Sequence, residues 1–461
     1  MMRSLYSGVS GLRNHQIRMD VLGNNIANVN TYGFKKSRVS FQDILSQTIS
    51  GASAPTAQIG GVNPKQVGLG MTVASIDRIF TQGSLQTTGL NLDTAIQGDG
   101  FFVLKKGDET FYTRAGGFGL DKNGTLVNPA NGFRVQGWRA VRAGAEYIID
   151  TTADVEDIII PIGGKDPARA TSIIRYKSNL DSETPVIPPG ATPTPEELMK
   201  ATVVTNIDAY DSLGNVHRVT VSFRRLAGER NAWIATATVE GADEANLTLD
   251  VAGTNSNTTN SVIIRFDGDG APVSIQDNPG VAGAPADVVA QGRLVATLNI
   301  TFPQQGTTQQ ITLDFGTSGQ FDGITQFAGE TTTKAYEQDG YAMGYLESFT
   351  IDSSGIITGI YSNGNKAPIA QIALARFTNP QGLKAEGDNN FRATNNSGLP
   401  DIGAAGTGGR GRITPGALEM SNVDLAEQFT DMIVTQRGFQ ANSRIITTSD
   451  QMLQELLTLK R

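Results

Sequence analysis

Apolar residues recur every seven positions at the two ends of this chain, which confines long helices to its termini. At the N-terminal end a 4-3 spacing runs through Leu5, Val9, Leu12, Gln16, Met19, Gly23 and Ile26. At the C-terminal end the same spacing runs through Leu425, Phe429, Met432, Gln436, Phe439, Ser443, Ile446, Asp450, Leu453 and Leu457. One line of each repeat is apolar, and the C-terminal alternate line weakens to Gln436, Ser443 and Asp450. The spacing predicts two amphipathic helices, the second on the order of 55 Å long. Asn422 or Ser421 is the expected N-cap of the second helix. Seams this incomplete are marginal in isolation, so the helices are expected to order on each other, on a partner or on copies of themselves.

Between the ends the period drops to two. Asp99-Gly100, Gly107-Asp108, Asn123-Gly124 and Asn131-Gly132 separate short apolar runs across residues 91–140, and Asn363-Gly364 does the same across 341–395. Such pairs tolerate positive φ and mark hairpins. A further β-rich block lies between Val203 and Phe315. Five of the chain's 18 prolines fall from Pro185 to Pro195, where an extended connector is expected. The fold class implied is mainly β with terminal α-helices, nested and multi-domain: a helical, coiled-coil-like domain (1–30 and 418–461), connectors (31–75 and 398–417), a β domain (76–175 and 335–397) and an inserted β domain (176–334).

Composition removes most chemistry. The 461 residues include no cysteine and two histidines, His15 and His217. Disulfides, thiolate nucleophiles, iron–sulfur clusters and Cys-based zinc sites are thereby excluded, and no metal site is expected. The net charge of −8 does not invite nucleic acid. Asp267-Gly268-Asp269-Gly270 begins like a calcium loop, but no Glu stands at the twelfth position, so a turn is the reading. His15 and His217 read as solvated residues. Glu196-Glu197 are neighbours in the Pro-rich connector and are not preorganised for acid–base work. No catalytic residues and no cofactor are expected. Neither a signal-peptide h-region nor a membrane-spanning run is present in the sequence.

The stretch Asn24 to Lys35, with Ala27, Asn28, Asn30, Thr31, Gly33 and Phe34 at its centre, resembles the signature of the rod, hook and hook-associated axial proteins of the bacterial flagellum. Gly83–Gly89, Ala95–Phe102, Tyr112–Gly116, Tyr361–Gly364, Leu418–Leu425 and Gln436–Ser443 resemble the same family, and the inserted domain is similar to that of its hook members. The resemblance implies a non-enzymatic subunit that is exported without a cleaved signal peptide through the type III apparatus. It also implies polymerisation into a curved tube in contact with rod, hook-cap and hook–filament junction proteins, with no nucleic acid and no membrane insertion. The seam residues Leu5, Val9, Leu12, Met19, Ile26, Leu425, Phe429, Met432, Phe439, Ile446, Leu453 and Leu457 are then the expected polymerisation elements. The alternatives are a distal rod or junction protein and, from another class, a secreted carbohydrate-binding adhesin.

Arg175–Leu180, with Lys165 before it, resembles the spirochaete branch, whose flagella are periplasmic. The resemblance implies that relatives carry Cys where Ser178 stands. That Cys loses its sulfur by β-elimination, and a lysine of a neighbouring subunit adds to the resulting dehydroalanine to form lysinoalanine. Lys165 is the candidate nucleophile, and Asn179 the candidate for holding the backbone. A serine hydroxyl leaves poorly, so crosslinking is expected to be impaired here. The alternative is a relative that never crosslinks, with Lys165 a solvated loop residue.

Overall fold

The computed structural model describes residues 2–458 apart from 56–58, 145, 189–192, 243–246, 252–258, 279–287, 290, 303–306 and 333. Its α-helices are α1 (Met2–Ala27), α2 (Pro195–Ala201) and α3 (Leu425–Thr458). The long terminal helices stand where the seven-residue repeat placed them, with α3 at 34 residues. The cap differs from expectation. Asp424 Oδ1 accepts from the backbone N–H groups of Ala426 (2.8 Å) and Glu427 (3.3 Å). Asn422 is committed elsewhere, accepting from Lys36 N and donating to Ile79 O, both at 2.8 Å.

The short helix α2 begins at Pro195, where the expected extended connector ends. Thr194 and Glu197 form a reciprocal capping box, and Pro195 occupies the first turn. Glu196 and Glu197 thus lie at the positive end of a helix dipole, with Glu196 also paired to Lys200 at 2.9 Å.

Two compact units are present. The first comprises Met1–Ile162, Ser348–Ile360 and Lys366–Arg461; the second comprises Gly163–Glu347 and Tyr361–Asn365. In the first, α1 and α3 run antiparallel, with Gly8 against Ile446, Gly11 against Asn442 and His15 against Gly438. Strands Ser37–Asp43 and Met71–Arg78 form an antiparallel pair packed on α1. A second ladder, Ser46–Ser50 with Lys65–Gly68, is exposed at every position. The expected connector 31–75 therefore contains four strand segments. Part of 398–417 is strand too, where Asp401–Ala404 pairs with Lys366–Arg376, and Arg412–Pro415 with Thr94–Gln97. Backbone pairing holds these strands, and their Gly, Ser and Thr content resembles that of a linker.

The β core of the first unit is built on Phe101–Lys106, which pairs with Glu109–Thr113, Arg134–Ala143 and Lys366–Arg376. Phe101, Tyr112, Trp138, Phe377 and Phe391 fill it. In the second unit a six-stranded and a five-stranded sheet share one core around Tyr176, Val219, Phe223, Trp233, Leu298 and Phe315. Alternating burial along Val216–Arg225 follows the pleat. The Asp267 segment is a turn, its carboxylate accepting from the N–H groups of Asp269 and Ala271. His217 is not the solvated residue expected: it is half-buried, with Nδ1 3.3 Å from Glu240 O and Nε2 3.5 Å from Asp211 Oδ2. Among the described residues no helix is long and apolar enough to cross a membrane.

Candidate assembly site at the joined chain ends

The signature segment folds as the turn that ends α1. Asn28 donates from Nδ2 to Asn24 O and accepts from Thr31 Oγ1, and Phe34 N donates to Thr31 O. Gly33 takes φ +70°, and a Cβ there would lie 2.6 Å from Ala115 N, so only glycine fits. Its N–H donates to Glu419 O at 2.8 Å. Phe34 is half-buried, whereas Ala27 and Asn30 are exposed. The tip of the hairpin Lys384–Arg392 reaches this turn, where Asn389 Nδ2 donates to Tyr32 O at 2.9 Å.

Beneath the turn lies a buried charge cluster. Glu419 Oε1 accepts from Lys35 Nζ at 2.6 Å and from Gly83 N at 2.9 Å, and Oε2 lies 3.3 Å from Arg114 Nη1. Lys35 Nζ also donates to Thr81 O, and Arg114 Nη2 to Gly98 O. Burial pushes the Lys35 ammonium below its ordinary value, with Glu419 opposing the shift. Nearby, Asn25 clamps Ser37 through both its backbone groups and donates to Gln428 Oε1 at 2.9 Å. The N-terminal signature and the segment leading into α3 thus form one polar joint. Lys35, Arg114 and Glu419 each sit inside a quoted motif, and the signal that could have found them is a charge surrounded by small and apolar neighbours.

The helix pair is inverted relative to a leucine seam. The buried line of α1 is Gly8, Gly11, Asn14, Leu22 and Asn25, and that of α3 is Gln428, Thr435 and Ser449. Small and polar residues let the two backbones approach closely, with Arg18 and Asp431 paired at 3.2 Å on the flank. His15 is half-buried against Gly438 and edge-on to Phe41, so it is not a free surface residue. None of the described residues of the expected seam is fully buried. Leu5, Leu12, Met19, Ile26, Met432, Phe439, Ile446 and Leu453 are half-buried, whereas Val9, Leu425 and Phe429 are exposed. The side chain of Leu457 lies outside the described residues.

In the second unit Lys165 is exposed, its Nζ 5.8 Å from the centre of the Tyr345 ring. Ser178 opens the strand Ser178–Asp181, which pairs in parallel with Ile324–Phe327. Its Oγ is buried with no hydrogen-bond partner. The side chain of Asn179 brackets the Phe327 backbone, accepting from N at 2.8 Å and donating to O at 3.2 Å. Ser178 and Asn179 are therefore adjacent and fixed, whereas Lys165 lies on a different sheet.

Four family profiles match the chain in order. They are the flagella basal body rod protein (5–35), the flagellar hook protein FlgE/F/G D1 domain (95–173), the flagellar basal body protein FlaE D2 domain (179–341) and the flagellar basal body rod FlgEFG protein C-terminal (414–459). Similarity to the flagellar hook protein FlgE of Treponema pallidum is 50% identity over 465 residues, covering all of both chains. It is 52% over 461 residues for FlgE of Borreliella burgdorferi, again covering all of both. The flagellar basal-body rod protein FlgG of Bacillus subtilis is 30% identical over 462 residues. The crystal structure of Helicobacter pylori flagellar hook protein FlgE2 overlaps 73% of this chain and 100% of its own, with a TM-score of 0.48 and 16% identity. Identity of this level over the full length of both chains is decisive, and the chain belongs to the flagellar hook protein family.

Proposed function

We propose that the chain is the structural subunit of a flagellar hook, a curved tube that passes motor torque to the filament, and that α1 and α3 form its inner layer. One observation carries the assignment of the helices. The residues they bury are mostly small or polar, while Val9, Leu425 and Phe429 remain exposed and the other described seam residues half-buried. Apolar surface of that extent on a helix pair is stable only when covered, and in a polymer the copies cover it.

On this reading residues 1–30 and 418–461 build the tube, and the β domain (76–175 and 335–397) and the insertion (176–334) form its outer layers. The partners are further copies, then the rod, the hook cap and the hook–filament junction proteins, after passage through the type III export apparatus. In a spirochaete the hook belongs to a periplasmic flagellum. Ser178, lacking a thiolate leaving group, gives a hook whose subunits associate without a Lys165–Ser178 lysinoalanine bond, Asn179 keeping the local backbone geometry. A distal rod subunit is the second reading, favoured by the similarity to FlgG; the match to FlgE at 50% and 52% identity favours the hook.

Electron microscopy of concentrated protein tests the assignment. Curved tubes are expected from the full chain, and folded particles without tubes from a chain lacking residues 1–30 and 420–461. Straight rods support the rod reading, and monodisperse full-length particles that bind glycan exclude both.

A further inference from the structure

A groove of about 590 Å³ lies between α1 and the strand pair packed on it, with Tyr6, Val9 and Ile17 on one wall and Ile44, Leu69 and Val73 on the other. Tyr6, Val9 and Ile44 leave 63%, 47% and 53% of their surface open. The first turns of α3 carry a complementary ridge. Leu425, Phe429 and Ile433, spaced by four on one helix face, are 41%, 51% and 52% exposed.

Groove and ridge cannot meet within one chain. In the antiparallel pair Gly8 stands level with Ile445 and Ile446, whereas Asn25 stands level with Gln428. The groove spans the levels of Tyr6 to Ile17, so Phe429 lies about 18 Å along the helix axis from its middle, at ~1.5 Å per residue. We propose that the groove of each copy receives the Leu425–Phe429–Ile433 ridge of a second copy, offset by that distance. The inference rests on the hook reading and deepens it by naming the two surfaces that join. Because ridge and groove are different patches, the contact is heterologous. Every copy keeps one free groove and one free ridge, so the contact propagates into an open helical assembly and does not close as a dimer. That property argues for a second copy as the occupant in a chain of a tube-forming family.

The absence of cysteine makes the test direct. The double variant Val9→Cys/Phe429→Cys is assembled into tubes, oxidised and run on a denaturing gel with and without reductant. A ladder of multimers that collapses to monomer on reduction is expected, while either single variant stays monomeric or stops at dimer. Ile44→Cys/Ile433→Cys provides a second pair should the first not assemble. Tubes that give only monomers or dimers with both pairs overturn the proposal and leave the hook reading standing. A stronger ladder from Val9→Cys/Ile445→Cys overturns it in favour of copies aligned without offset. Failure of the unsubstituted chain to form any tube removes the hook reading itself.

Discussion

Lys35 Nζ and Glu419 Oε1 lie 2.6 Å apart with both side chains fully shielded from solvent, although 384 residues separate them in sequence. Arg114 shares the same carboxylate, so one anion faces two cations. Removing that anion leaves the buried Lys35 ammonium without its counter-charge, and breaking a buried pair in this way costs about 3–5 kcal/mol, far more than an intact pair contributes. Glu419→Gln should therefore lower the guanidinium midpoint of the first unit sharply. Near-unchanged unfolding would show that the cluster is solvated.

The helix seam depends on missing side chains. A Cβ at Gly438 would stand 2.8 Å from His15 Nε2, and one at Gly11 would stand 2.7 Å from Asn442 Nδ2. Gly438→Ala gains helix propensity but forces the pair apart, and overpacking of this kind costs about 1–3 kcal/mol. Reduced thermal stability together with fewer tubes is expected. A more stable protein, as propensity alone predicts, would contradict the packing described.

Which parts of this fold the sequence announced follows from what each part buries. The terminal helices were legible because Leu5, Leu12, Met19 and Ile26, and their counterparts from Leu425 to Leu453, keep a helical period. The face they use within the chain was not, because Gly8, Gly11, Thr435 and Ser449 are small or polar and carry no hydrophobic signal. Hairpins ending in Asn-Gly were legible from their turn chemistry. The ladder Ser46–Ser50 with Lys65–Gly68 was hidden, since a strand pair held by its backbone alone reads as a linker. Glu419 was quoted inside a family motif, but its partners lie far off in sequence, and only tertiary structure brings Lys35 and Arg114 to it.

Acid should loosen the helix pair through His15. Burial lowers the imidazole below its ordinary 6.5, and the neighbouring Arg18 lowers it further. Phe41 and the backbone of Gly438 face the ring, and His15 Nδ1 is buried without a partner; Asp431, on the flank of the helix pair, is held by Arg18. Between the depressed folded value and 6.5 the unfolded chain binds more protons than the folded one. The His15 contribution is thus full above pH 6.5 and falls as the pH drops through that window. Helicity measured against pH should show this loss, and His15→Gln should flatten it. An unchanged slope in that variant would assign the effect to other groups.

Covalent joining provides a separate check. Tubes of this chain are expected to dissociate to monomer in hot SDS, because Ser178 offers no thiolate to eliminate. Ser178→Cys should yield multimers that resist both SDS and reductant, and adding Lys165→Ala should abolish them. Resistant multimers from the unsubstituted chain would show that a serine at this position suffices.

The polar joint also makes the order of synthesis matter. Lys35 and Arg114 leave the ribosome early, and the buried carboxylate they share arrives some three hundred residues later, at Glu419. A chain that ends before Glu419 lacks the carboxylate that the buried Lys35 ammonium faces. Closure of the joint is thereby expected to wait for nearly the whole polypeptide.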